Sequence, residues 1–134
     1  MATFWHHQCD SCDYTFETSG QHEFYVDPEG RVADYGHPLP KSEEAKSAGI
    51  SGFYGRMWCL THDVNVDVVM REFKHPVARD AGIWTPGALP EKRVDVICPA
   101  CGDDRPVMGD LPFGGEIPCP KCGGTIRCET IGMS

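Results

Sequence analysis

Apolar positions in this chain alternate with polar ones in short runs. Val64, Val66 and Val68 alternate strictly, and Ile126, Cys128 and Thr130 repeat the pattern near the C-terminus. A period of two marks a half-buried strand. Tyr14-Thr15-Phe16, the stretch from Phe53 to Trp58, and Val94, Val96 and Ile97 read as further strand-forming segments. Residues 22–26 and 31–35 flank Asp27-Pro28-Glu29-Gly30, a turn with Pro at its second position and Gly at its fourth, and this predicts a hairpin. One short helix is expected over residues 43–47. Ser42 caps it, Glu43 and Glu44 complement its dipole, and Gly49 ends it.

Composition agrees with this pattern. Fifteen Gly and 11 Pro among 134 residues break up long helices, so the expected fold class is small and mostly β. Modules this small bury too little apolar surface to offset their ordering entropy unaided, and they draw on disulfides, a metal or a partner. Eight cysteines supply such support. The N-terminal Met-Ala-Thr-Phe-Trp-His-His lacks the pattern of a secretory signal, and no apolar run reaches the roughly 18 residues of a membrane span. A soluble, cytoplasmic protein with reduced thiols is expected, and there Cys-x-x-Cys pairs read as metal ligands before disulfides.

Cys98-Pro99-Ala100-Cys101-Gly102 and Cys119-Pro120-Lys121-Cys122-Gly123 repeat one wording across 17 intervening residues. In each, two thiolates on a tight turn can face one ion, and the following Gly tolerates positive φ. Four thiolates at tetrahedral geometry suit Zn²⁺, so these four are expected to form one structural, coordinatively closed site. The other turns are Cys9-Asp10-Ser11-Cys12 and, after 46 residues, Cys59-Leu60-Thr61-His62. Together they are expected to form a Cys₃His site. His6 and Cys128 are alternative ligands of lower rank: His6 and His7 read as a mobile N-terminal pair, and Cys128 as a core-facing thiol.

From about residue 93 to 130 the chain resembles the zinc-ribbon family. Two ribbons holding two Zn²⁺ are therefore expected. The first spans 1–74 with the hairpin and helix inserted at 13–58, the second spans 94–134, and the Pro- and Gly-rich stretch 75–93 serves as a linker. Trp84 and Ile83 are unusual in a linker, and Trp84 has two readings: packing onto a ribbon or anchoring a partner.

Charge separates the function classes. The formal net charge is −8, and loading a Cys₄ and a Cys₃His site takes it to about −11. Residues 1–62 hold 4 basic and 9 acidic side chains, 63–92 hold 4 and 5, and 93–134 hold 4 and 6. No segment carries the basic surface that phosphate binding needs, so nucleic acid is disfavoured as a partner. No phosphate loop is present, and His22-Glu23 lacks the second His of a zinc-protease motif. A dithiol redox role for Cys9 and Cys12 calls for a helix at the first cysteine, whereas Asp13-Tyr14-Thr15-Phe16 is strand-like. An iron-loaded, rubredoxin-like electron carrier stays open, because four thiolates bind iron in the same geometry.

The favoured class is a non-catalytic subunit docking on larger chains, with Phe4, Trp5, Tyr54, Trp58, Trp84 and Phe113 as candidate contact surface. Within it, the size, acidity and paired Cys-x-x-Cys motifs resemble the small zinc-bearing subunits of acetone and acetophenone carboxylases. That resemblance implies a scaffold in a cytoplasmic, ATP-dependent ketone carboxylase (a ligase), with the chemistry on other chains and no catalytic residue here.

Overall fold

The computed structural model describes residues 2–37, 39–78 and 89–133. The architecture is mostly β, as expected: among the described residues, an open antiparallel sheet with one short helix. The strands are β1 (Thr3–Cys9), β2 (Thr15–Val26), β3 (Val32–Asp34), β4 (Ile50–Cys59), β5 (Val64–Val77), β6 (Glu91–Lys92), β7 (Ile117–Pro118) and β8 (Thr125–Met133), with α1 (Glu43–Ala48) between β3 and β4. Their spatial order is β6-β5-β4-β2-β1-β8-β7, and β3 pairs with β2. The long-range step is β1 beside β8, in a register that sets Gln8 opposite Arg127 and Cys9 opposite Ile126.

Contacts divide the chain into two units, residues 1–21, 55–68 and 96–134 in the first and 22–54 and 69–95 in the second. This is not the expected succession of a ribbon at 1–74, a linker and a ribbon at 94–134. The first unit gathers both ends of the chain and its middle, because β1 and β8 pair across almost the whole sequence. Its core is Phe16, Val107, Ile117 and Ile126 with Cys9 and Cys119. The Phe16 ring stacks on His7 at 4.4 Å and on Trp58 at 5.0 Å. Fully burying each apolar side chain of this size is worth about 1.5–3 kcal/mol.

In the second unit the expected hairpin forms, with Tyr25 opposite Ala33 and Val26 opposite Val32. Asp27 organises its turn: its carbonyl accepts the Gly30 N–H, and its Oδ1 accepts the N–H groups of Glu29 and Arg31. The helix also lies where expected. Ser42 Oγ accepts the Ala45 N–H at 3.1 Å, and Gly49, at φ 79°, returns its N–H to the Ala45 carbonyl. Ala45 packs with Tyr25, Tyr35, Ile50, Phe53 and Phe73. Backbones approach closely at Gly52, where a Cβ would run into the Arg71 carbonyl oxygen and come within 2.9 Å of Glu72 Cα.

The ends of the expected linker are strand. Residues 75–77 belong to β5, and Glu91 and Lys92 form β6 against Phe73 and Glu72, clamped by a two-bond Arg71–Glu91 pair at 2.9 and 2.7 Å. Ile83 and Trp84 lie outside the described residues.

Candidate metal centre

All four candidate ligand pairs sit on tight turns of the first unit. Cys9 and Cys12 occupy the β1–β2 turn, Cys59 and His62 the β4–β5 turn, and Cys119 and Cys122 the β7–β8 turn. Cys98 and Cys101 lie on a loop that Val107 joins to Trp58 through a pair of backbone hydrogen bonds. The turns share a hydrogen-bond code. The N–H of the first ligand is accepted by the carbonyl five residues on in three of them, Cys9 to Tyr14, Cys98 to Asp103 and Cys119 to Gly124. The carbonyl of the first ligand accepts the N–H four residues on at Cys59–Asp63, Cys98–Gly102 and Cys119–Gly123. That residue needs a left-handed backbone, which Gly102 and Gly123 supply at φ 78° and 77° and Asp63 at 57°. Aspartate is among the few side chains that tolerate this conformation.

The turns do not pair in sequence order. Cys9, Cys12, Cys119 and Cys122 form one group, and Cys59, His62, Cys98 and Cys101 form another nested inside it along the chain. The expected pairing of Cys98 and Cys101 with Cys119 and Cys122 is therefore corrected, as is that of Cys9 and Cys12 with Cys59 and His62. The cause is the sheet. β1 pairs antiparallel with β8, so the turn leaving β1 meets the turn entering β8. Trp58 pairs with Val107, so the turn leaving β4 meets the loop carrying Cys98. The outer pair is fastened further: the Asp10 N–H donates to the Thr125 carbonyl, and the Asp10 carboxylate accepts the Thr125 N–H. Gly124 lies so close that a Cβ there would sit 2.8 Å from Ser11 Oγ. In the inner pair the Thr61 hydroxyl donates to Asp103 at 2.8 Å.

Both donor sets fit a tetrahedral ion. Zn–S bonds of about 2.3 Å place sulfurs about 3.8 Å apart across a tetrahedron, and replacing one S by N shortens that edge to about 3.6 Å. In the outer set Cys9 and Cys122 are 3.5 Å apart and Cys12 and Cys119 3.7 Å. In the inner set Cys59 and Cys101 are 3.8 Å apart, and His62 Nδ1 lies 3.4 Å from Cys59 and 3.8 Å from Cys98. A disulfide would need about 2.05 Å, and all eight cysteines are free. One Cys₄ and one Cys₃His set result, the same two types as expected though with other members.

Electrostatics ask for a cation. Burial pushes the Cys98 thiol up, but the N–H groups of Ala100 and Cys101 and the neighbouring sulfurs outweigh it and lower it to about 7. Cys119 is likewise lowered to about 7, burial being outweighed by the N–H groups of Lys121 and Cys122. Their neighbours move the other way. The Tyr14 N–H favours the Cys12 thiolate, yet burial and three adjacent sulfurs raise it to about 12; Cys101 rises to about 11 despite the Asp103 N–H. Sulfurs packed this closely cannot all ionise without a positive ion among them, so filling either set releases protons.

A polar chain runs between the two sets. The Trp58 indole N–H donates to the Tyr14 hydroxyl at 2.8 Å, and that hydroxyl donates to Asp63 Oδ1 at 2.6 Å. Lys121 Nζ donates to Asp63 Oδ2 at 2.6 Å. Sequence reasoning passed over Asp63, although its place directly after a ligand, where two other turns carry Gly, marked it. The N-terminal histidines are not a mobile pair, since both belong to β1. His7 is fully buried with Nε2 against Thr18 Oγ1 at 2.8 Å, while His6 faces Glu17 at 3.5 Å. Neither joins a ligand group. Cys128 is half-buried opposite His7, and burial raises its thiol pKa. Of the aromatic residues expected to face a partner, Tyr54 is buried and Phe4 is exposed.

Among the described residues no helix is long and apolar enough to cross a membrane. In comparisons with known proteins, no family model, no curated protein and no solved structure matches the chain.

Proposed function

We propose that this protein is a non-catalytic zinc-binding module that holds two Zn²⁺ and serves as a small subunit of a larger assembly. The observation that carries the reading is the closure of both donor sets: four donors each at tetrahedral spacing leave no position for water or substrate. Cys9, Cys12, Cys119 and Cys122 would hold one ion, and Cys59, His62, Cys98 and Cys101 the other. Zinc at such sites supplies folding energy rather than chemistry. Mixed thiolate and imidazole donors in the inner set favour zinc over the all-thiolate iron of an electron carrier. A reducing, cytoplasmic setting is supported by the seven cysteines that group as metal ligands rather than in disulfides.

Docking on larger chains is supported by apolar side chains left at the surface on the paired strands β1 and β8, namely Phe4, Ile131 and Met133. The ketone-carboxylase context rests on the resemblance in size, acidity and Cys-x-x-Cys motifs alone. Elemental analysis of protein purified from its native host tests the metal reading: two zincs per chain support it, and iron in the Cys₄ set replaces it with electron transfer. The same preparation tests the subunit reading. Large chains at fixed stoichiometry with ATP-dependent carboxylation of a ketone would carry it, and a chain that purifies alone, or with salt-released RNA or DNA, would refute it.

A further inference from the structure

Each member of the polar chain between the two donor sets belongs to a ligand turn. Asp63 follows His62, and its left-handed backbone directs its N–H to the Cys59 carbonyl. Tyr14 lies two residues past Cys12, and its carbonyl accepts the Cys9 N–H that closes the outer turn. Lys121 stands between Cys119 and Cys122, and its ammonium lies 5.9 Å from the Tyr14 ring as well as 2.6 Å from Asp63. Trp58 precedes Cys59, is tied by its backbone to Val107, and donates its indole N–H to Tyr14. One carboxylate thus accepts hydrogen bonds from both turns of the outer set while standing on a turn of the inner set.

We infer that Asp63, through Tyr14 and Lys121, couples the loading of the two metal centres, so that an ion at one raises the affinity of the other. The inference rests on the metal-binding reading above. An ion at the inner set fixes the Cys59–His62 turn and with it the Asp63 carboxylate. The carboxylate then holds Tyr14 and Lys121, and hence the turns of Cys12 and of Cys119 and Cys122, in the arrangement the second ion requires. The ordering cost is met by the first ion, and the second binds more tightly. By reciprocity an ion at the outer set does the same for the inner. Asp63 is a positioning residue and supplies no ligand atom.

The test is a Co²⁺ titration of the metal-free full chain, with native mass spectrometry counting chains that hold no, one or two ions. Coupling of about tenfold leaves about a quarter of chains with one ion at half loading, whereas uncoupled equivalent sites leave about half. Asp63→Asn keeps a residue that tolerates the left-handed backbone while removing the charge, and Tyr14→Phe removes the hydroxyl that joins Trp58 to Asp63, two hydrogen bonds, without touching the backbone of the turn. Both are expected to raise the one-ion population about twofold while still binding two ions at saturation, a change that loss of stability alone does not produce. A one-ion population equal to wild type in Tyr14→Phe, and in Asp63→Asn if that variant folds, overturns the coupling. No Co²⁺ uptake by the wild-type chain would sink the metal-binding reading itself, a result distinct from uptake without coupling.

Discussion

Cys119→Ser and Cys98→Ser should act on different metal sites, although the two residues carry matching motifs. Structural zinc contributes about 10–16 kcal/mol of apparent binding free energy, so each of four ligands carries roughly 3 kcal/mol, about two decades in metal affinity. Cys119 lies 3.7 Å from Cys12 and belongs with Cys9. With a chelator holding free zinc between the affinities of the wild-type and Cys119→Ser outer sets, Cys119→Ser empties that set, and adding Cys9→Ser should cost less than about 1 kcal/mol more, because its ion is already lost. Adding Cys98→Ser instead should cost its single-mutant value less only the about 1.4 kcal/mol of a tenfold coupling, since it empties the other set. A double-mutant cycle on denaturant-derived stability, with zinc counted per chain, gives both quantities. The nested pairing is refuted if Cys98→Ser is the silent partner of Cys119→Ser and Cys9→Ser is not.

Gly124→Ala should destabilise by about 1–3 kcal/mol, because its Cβ would fall 2.8 Å from Ser11 Oγ and 2.9 Å from Ser11 Cβ. Adding Ser11→Gly should recover most of the loss in a thermal melt. Thiol titration of loaded protein should find Cys128 alone reactive, and all eight cysteines after chelation; more than one reactive thiol before chelation would contradict two filled sets. Arg71 holds the Glu91 carboxyl below its ordinary value of 4.5. The stabilisation this pair gives is therefore complete above about 4.5 and is lost as pH falls through the lower folded-state value. Glu91→Gln should flatten that acid limb when hydrogen exchange is followed at Lys74, whose N–H is accepted by the Pro90 carbonyl.

Local elements were legible because their causes are local. Ser42 and Gly49 bracket the helix, Asp27 to Gly30 make the hairpin turn, and alternation at Val64 to Val68 marks a strand. Each ligand turn could be recognised for the same reason: two donors lie three positions apart, followed at two of the turns by a Gly that supplies positive φ. The pairing of turns was not legible. It depends on Cys9 standing opposite Ile126 and Trp58 opposite Val107, long-range contacts that no window of local sequence contains. The matching wording of the turns at Cys98 and Cys119 pointed the wrong way, because motif likeness reports the geometry of one turn and says nothing of its neighbour in space. Asp63 went unnoticed since an aspartate after a ligand reads as surface charge until its backbone angle is known.

Nesting also sets the order in which the chain can be fastened. The inner set closes a span of 36 residues between His62 and Cys98, whereas the outer set closes 107 between Cys12 and Cys119. A crosslink spanning about 100 residues removes more denatured-state entropy than a short one, equivalent to roughly 4–5 kcal/mol in the chain-entropy treatment. During synthesis the inner clasp can lock as soon as Cys101 is free of the ribosome. Cys9 and Cys12, made first, must wait as unprotected thiols until Cys122 emerges. The outer ion thus acts as a fastener that only a chain extended through that last turn can close.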